Sequence, residues 1–436
     1  MQKKQKSKYG LVWFTNNLRI HDNASLKQAC ENHQNVIAVY CFDPRHYRNS
    51  AFGFQKTGKF RAKFLLETVT DLKKNLATLS ITLLVYHKKP ETIIPDLIKE
   101  FAVSDMYYQN EWTSEEQAVI NELKRNIPDS VIFHTFYSQF LFHPEDLPFE
   151  VENIPRVFTD FRKRIEKTAS IRPLIETKNE SGTIIKKDTP IPTLWELGFE
   201  DFEQHSLTAF PFQGGETSAL NRLDQYLFQN ETIKTYKKTR NRLLGVDYSS
   251  KFSPWLANGS ISAKMIYWNV KKFENLHTKN DSTYWLIFEL IWRDFFKYVS
   301  LKYGNSIFRI HGILQQDYVW KQDWDLINEW IHGKTPKAFV NANMLEIKQT
   351  GWMSNRGRQN VASYFAKTLN LDWRIGASYF ESLLLDYDVH SNYGNWMYLS
   401  GVGNDPRNRE FNVKLQAERY DPQETYQNLW LERTPI

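Results

Sequence analysis

The sequence predicts an α/β domain with a doubly wound parallel sheet followed by an all-α domain, and three observations carry that reading. In the first third, short β-branched and aromatic runs alternate with amphipathic stretches. Beyond about residue 216, strand-like runs nearly vanish and apolar residues recur at helical spacing. The 436 residues are too many for one ordinary core and enough for two or three domains.

The strand-like runs are residues 9–14, 35–42, 81–86, 105–109 and 130–136, separated by helical patterns at 59–79, 91–101 and 114–126. That alternation implies a mostly parallel sheet. Thr113 is read as a helix cap with Glu116 reaching back, a capping box. The turn after the first run, Thr15 to Arg19, has no Gly-x-Gly-x-x-Gly, so a standard dinucleotide site is not expected there. Residues 1–136 form the α/β domain and residues 137–215, with several prolines and a polar run at 176–189, an inter-domain connector carrying some local structure. Residues 216–436 form the helical domain, with helical spacing at 217–228, 260–273, 282–303, 323–332, 358–369 and 373–387.

Composition narrows the class. No stretch approaches the roughly 20 apolar residues of a membrane span, and the apolar run at 9–14 is too short for a signal peptide. Cys30 and Cys41 are the only cysteines, which excludes a disulfide framework and four-cysteine zinc or iron–sulfur sites. A reducing, cytoplasmic setting without a metal is the expectation. The net charge of +6 suits a nucleic-acid partner and equally suits none. The 14 Trp and 22 Tyr exceed ordinary packing needs, although most must simply fill a helical core.

Four segments of the helical half concentrate chemistry. Ser253 before Pro254 reads as a cap and a first-turn proline, with the hydroxyls of Ser249 and Ser250 upstream. A helix start ringed by hydroxyls and one Lys suits a diphosphate, and plain capping explains it equally. Glu289, Trp292 and Arg293 fall on one helix face, so a carboxylate, an indole and a guanidinium meet there, and a surface ion pair beside a core indole explains this equally well. Asn355 and Arg358 lie one turn apart, with Arg356 free to point elsewhere, as toward a phosphate backbone. Residues 386–401 crowd carboxylates, amides and aromatics into a stretch of little helix propensity, which suggests a buried, hydrogen-bonded cofactor pocket.

Trp13 to Asn23, Trp292-Arg-Asp-Phe295, Gly351-Trp-Met-Ser-Asn-Arg-Gly-Arg358 and Asn392-Tyr-Gly-Asn-Trp396 together resemble the photolyase/cryptochrome family. Phe52 to Arg61, Arg358 to Ser363 and Gly403 to Arg407 are similar to its cryptochrome DASH branch, and the resemblance runs from about residue 9 to 431.

The resemblance implies bound FAD, with Tyr236, Ser249, Ser250 and Ser253 at the diphosphate, and Arg293, Asn355, Arg358, Asp386, Asp388 and Asn392 around the flavin and ribityl chain. Asn392 matches the residue facing flavin N5, where an amide does not readily supply a proton. Trp396, Trp373 and Trp320 match an electron-carrying triad. Glu289 and Trp292 match residues that hold a cyclobutane pyrimidine dimer. Gln359 and Tyr398 replace the Met and Trp usual in dimer photolyases, which makes the pocket more polar and removes stacking area. Glu111 matches a contact to an antenna chromophore, expected to be 5,10-methenyltetrahydrofolate; an exposed loop acid is the alternative.

The function implied is blue-light-driven repair of cyclobutane dimers in DNA, chiefly single-stranded or looped, by a monomer whose Arg356 and Arg409 meet phosphates. Asn355 and Gln359 stand where (6-4) photolyases carry histidines. The rival is a blue-light receptor or nucleic-acid-binding regulator without repair, and the chain's end shortly after Leu431 favours the enzyme. A light-independent electron-transfer flavoprotein would leave the helical motifs unexplained.

Overall fold

A computed structural model describes residues 7–432 apart from 180, 181 and 183, so part of the polar run and residues 1–6 of the basic start lie outside the described residues. Five strands form one sheet: β1 (Ser7–Phe14), β2 (His33–Cys41), β3 (Thr82–Tyr86), β4 (Asp105–Gln109) and β5 (Ile132–Phe136). All pairings are parallel and the order is β3-β2-β1-β4-β5. β1 is central, with Leu11 opposite Ile37 on one side and Met106 on the other. The order reverses between β1 and β4, which opens a crevice at their carboxyl ends, where α/β sheets place ligands.

The connecting helices α1 (Ala24–Asn32), α2 (Lys59–Thr78), α3 (Pro90–Phe101) and α4 (Ser114–Asn126) bury both sheet faces. α1 escapes periodicity because it is short and runs straight into β2; Asn23 starts it by accepting from the Leu26 N–H. Thr113 does stand at the cap of α4, but its side chain makes no capping bond. The capping-box expectation fails because Glu116 instead turns into a buried space.

The connector carries α5 (Phe158–Thr168) and lies along the free edge of β3, where Thr189 Oγ1 accepts from Val85 N and Thr82 Oγ1 accepts from Ile185 N. The helical domain comprises α6 (Glu216–Asp224), α7 (Tyr236–Thr239), α8 (Ser253–Asn258), α9 (Ala263–Leu276), α10 (Asp281–Tyr303) and α11 (Trp324–Ile331). It continues with α12 (Ala338–Thr350), α13 (Asn355–Ser363), α14 (Trp373–Leu383), α15 (Val389–Ser400), α16 (Val413–Tyr420) and α17 (Thr425–Leu431).

Two readings of this half need correction. The segment at 386–401 is helical from Val389 onward, because Asp388 caps it by accepting from Ser391 N and Gly394 lets α15 press onto Phe296. Packing there overrides propensity. In α8 the cap position belongs to Phe252 and Ser253 is already helical, so the Ser253 hydroxyl is free of capping.

The loop after β1 joins the domains. Arg19 is buried and donates to the Gly259, Asp22 and Ser138 carbonyls at 2.8, 2.9 and 3.2 Å. The buried Glu216 carboxylate accepts from the backbone N–H groups of Ile20 and His21 at 2.8 and 3.0 Å. Asp22 meets Ser262 Oγ at 2.6 Å and Lys264 Nζ at 2.7 Å. Removing one partner of such a clamp strands desolvated groups, so Glu216→Ala should cost about 3 kcal/mol in denaturant unfolding. Exposed Glu152→Ala should stay within about 0.5 kcal/mol; equal losses would remove Glu216 from the interface.

Candidate cofactor and active site

A cavity of about 250 Å³ opens in the helical domain, and ten residues singled out in the sequence line it: Tyr236, Ser249, Ser250, Ser253, Glu289, Arg293, Asn355, Arg358, Asp386 and Asp388. They come from α7, the loop before α8, α8 itself, α10, α13 and the approach to α15, which chain separation hides. With six residues, α8 is too short for a helix-end field to dominate, so three hydroxyls and Lys251 define that wall. Lys251 is buried, its Nζ has no hydrogen-bond partner, and it faces the rings of Tyr248 and Trp352. An uncompensated buried amine beside hydroxyls suits an anionic diphosphate. Residues and group therefore fit.

Fixed ion pairs set the charge of the cavity. Arg358 meets Asp386 at 2.9 Å, Lys297 meets Asp388 at 2.8 Å and Arg240 meets Glu289 at 2.8 Å. Burial alone would raise the Asp388 carboxyl, but Lys297 above all holds it far below the usual carboxylate range. Burial pushes the Glu289 carboxyl up against the pull of Arg240. Glu289 thus does not pair with Arg293, as a surface reading would have it. Arg293 instead donates to the carbonyls of Gln139 and Leu256 at 2.6 and 3.0 Å.

Trp292 stacks on Phe158 with ring centres 3.6 Å apart and meets Tyr398 edge-on at 5.9 Å. Gln359 lies on α13 with its amide oxygen buried and unbonded. Asn392 is buried one residue beyond the lining Ser391 without lining the cavity itself, and its amide donates to the Ala377 carbonyl at 3.0 Å. Arg356 is engaged by Asn241 and Gln416 and packs over Tyr420, rather than pointing freely outward. Arg409 binds the Tyr398 hydroxyl at 2.7 Å and Asp405.

Trp396 lies one turn beyond Asn392, against α14 at Gly376, where a Cβ would fall 2.2 Å from the indole. Trp373 heads that same α14 and is fully buried, and Trp320 is partly buried outside it, where Asp372 N donates to the Lys321 carbonyl.

Comparison with known proteins places this arrangement. The family model for DNA photolyase matches residues 10–180, and that for the FAD binding domain of DNA photolyase matches residues 285–434. The chain is 47% identical to the Cryptochrome DASH of Gloeobacter violaceus over 424 residues, 97% of this chain and 85% of that one. The solved Synechocystis cryptochrome matches with a TM-score of 0.94 at 44% identity, covering 99% of this chain and 90% of that one. A class III photolyase from Agrobacterium tumefaciens matches with a TM-score of 0.83 at 25% identity, covering 99% and 88%. This chain belongs to the photolyase/cryptochrome family. Within it the resemblance is to cryptochrome DASH, and the helical half carries the family's FAD-binding domain. The serine wall lies upstream of that matched span yet lines the same cavity.

The crevice at the switch point holds the remaining acid. Glu111 is buried, not an exposed loop acid, and accepts from Gln109 Nε2 at 2.8 Å. Its neighbour Glu116, read from the sequence only as a capping residue, has a buried Oε2 with no hydrogen-bond partner. Sequence reading missed Arg240, whereas Lys251 did enter it, as the one Lys beside the hydroxyls that suit a diphosphate. Burial, then the charge of Glu111, pushes the Glu116 carboxyl up from 4.5 to about 7. The folded chain then holds this proton more tightly than the unfolded one, so stability falls as pH rises between those two values. Glu116→Gln should flatten that slope and raise Tm above neutral pH. Parallel pH–Tm curves for the two proteins would exclude Glu116 from the titration.

Proposed function

We propose that the chain repairs cyclobutane pyrimidine dimers in DNA under blue light, acting as a monomer with FAD in the cavity and preferring single-stranded or looped substrate. The convergence of ten dispersed residues on one cavity, next to a Trp292–Tyr398 pair, is the observation that supports this most. When bound and reduced, FAD would supply light absorption and one electron, which the opened lesion gives back.

The chain's own groups do the rest. Ser249, Ser250, Ser253, Tyr236 and Lys251 hold the diphosphate end, while Arg293, Asn355, Arg358, Asp386 and Asp388 orient the ring and ribityl portions. The amide of Asn392, tied to Ala377 O, offers no acid beside the ring. Phe158 stacks on Trp292, whose half-buried indole offers its exposed part to a pyrimidine, and Glu289 accepts hydrogen bonds from the base N–H groups. The Tyr398 hydroxyl is fixed by Arg409, so the pocket wall there is polar and offers one ring instead of an indole. Less stacking offsets less of the few kcal/mol needed to flip a lesion out of a duplex. Glu111 and Glu116 suit the polar edge of a pteridine, supporting a methenyltetrahydrofolate antenna in the crevice.

Illumination of FAD-loaded, reduced protein should restore dimer-containing single strands and unpaired loops, with intact duplex repaired poorly and darkness giving nothing. Affinity should fall as salt rises, since phosphate contacts release counterions. Equal repair of strand, loop and duplex would detach substrate choice from Gln359 and Tyr398. Absence of any repair would move the protein to the photoreceptor class.

The triad has its own test. Trp396→Phe should bind FAD normally but lose light-driven reduction of the oxidised form, because Phe fills similar space and resists oxidation. Repair begun from chemically reduced protein should survive. Unchanged photoreduction would take Trp396 out of the path.

A further inference from the structure

Trp112 follows Glu111 just past the carboxyl end of β4, yet its hydrogen bond and its nearest ring stack are with the helical domain. Its indole N–H donates to Ser300 Oγ on α10 at 2.8 Å, and its ring stacks on His390 of α15 at 4.5 Å with 19° between planes. On the connector, Phe140 stacks near it at 5.6 Å. Ser300 Oγ also donates to the Lys297 carbonyl one turn back at 2.7 Å and lies 2.6 Å from His390 Nδ1. A hydroxyl has one hydrogen, so with its own given to Lys297 O, His390 Nδ1 must be a donor to Ser300 and Nε2 keeps the lone pair. Burial first, and Lys297 next, keep that imidazole neutral.

These bonds fall where the two cofactor helices meet. Lys297 stands one turn before Ser300 on α10 and pairs with Asp388, which caps α15 and lines the cavity; His390 is two residues on, and Asn392 two beyond that. α10 and α15 are therefore pinned by an ion pair and a hydrogen bond side by side, and one residue of the other domain covers the second.

We propose that Trp112 is a positioning residue for the cofactor cavity: through Ser300 and His390 it fixes the first turn of α15 against α10, and with it the Asp388 carboxylate and the Asn392 amide. The hydrogen bond and ring contacts of Trp112 are with residues outside the cavity lining, so it acts through others. The stack supplies area and the N–H supplies direction, so the two contributions separate by substitution. The proposal rests on the reading that the cavity holds FAD.

Three variants test it: Trp112→Leu removes stack and donor, Trp112→Phe keeps the stack, and Tyr298→Phe serves as control. Tyr298 lies in the same aromatic group on α10, stacked on Phe140 and bonded to the Phe142 carbonyl at 2.5 Å. Measured are Tm, the FAD dissociation constant of apoprotein, and amide hydrogen exchange at Ser391 and Asn392 in the FAD-free chain. Trp112→Leu should weaken FAD binding about tenfold, as loss of outer-shell partners does elsewhere, and speed exchange at both amides. Trp112→Phe should do both to a smaller degree, and Tyr298→Phe should lower Tm with neither effect. Changes in Trp112→Leu and Trp112→Phe that merely follow Tm as in the control, or no change at all, overturn the proposal. Failure of the parent protein to bind FAD would overturn the cofactor reading instead, and exchange at Ser391 and Asn392 would still decide the role of Trp112.

Discussion

Two arginines, Arg19 buried and Arg293 half-buried, hold the wall on which the cavity depends. The six-residue α8, which brings Ser253 to the cavity, is too short to be stable by itself. Arg293 binds the Leu256 carbonyl near its end and Arg19 binds that of Gly259 just past it, while both also reach the connector at Gln139 and Ser138. Gly259 permits the approach: its φ is +74° and a Cβ would sit 2.0 Å from the Asn16 carbonyl. The turn after β1, which lacks phosphate-binding glycines, is thus a docking surface for the helical domain. The α/β half contributes to the cofactor site by bracing it.

The ion pairs around the cavity have the same logic. Pairs such as Lys297–Asp388 and Arg358–Asp386 return little net stability after desolvation, but each joins two elements in one geometry. α10 is tied to the start of α15, α13 to the loop before it, and Arg240 beyond α7 to α10 through Glu289. A pocket meant to hold a large ligand leaves space that packing cannot fill. Directional charged contacts then keep its walls apart and in register.

How much of this was legible follows from what each signal encodes. Parallel strands buried on both faces are short apolar runs, and all five were found within two residues of their observed ends. Ten cavity residues were found through resemblance, since their spacing in the chain carries no information about meeting in space. Partner choice was invisible: Glu289 reads as a mate for Arg293 one turn away, yet pairs with Arg240 from another element. Glu116 matched a capping box because local rules do not see that burial draws its side chain inward. α15 was hidden because Asn, Ser, Gly and Tyr are weak helix formers whose tertiary contacts decide the outcome.

The cavity and the crevice share one electrostatic environment. Burial raises the Glu111 carboxyl, and the strongest opposing influence is Lys297, with Asp388 acting in the other direction. Those two are the pair that sets the charge beside the main cavity. A charge gained or lost there alters the net field at the crevice, and a proton on Glu111 alters the field at Lys297 in return, since linkage acts both ways. In a low-dielectric interior such influence reaches further than in water. Lys297 on α10, which pairs with Asp388 at the helical cavity, is thus also within electrostatic reach of Glu111 at the sheet's switch point.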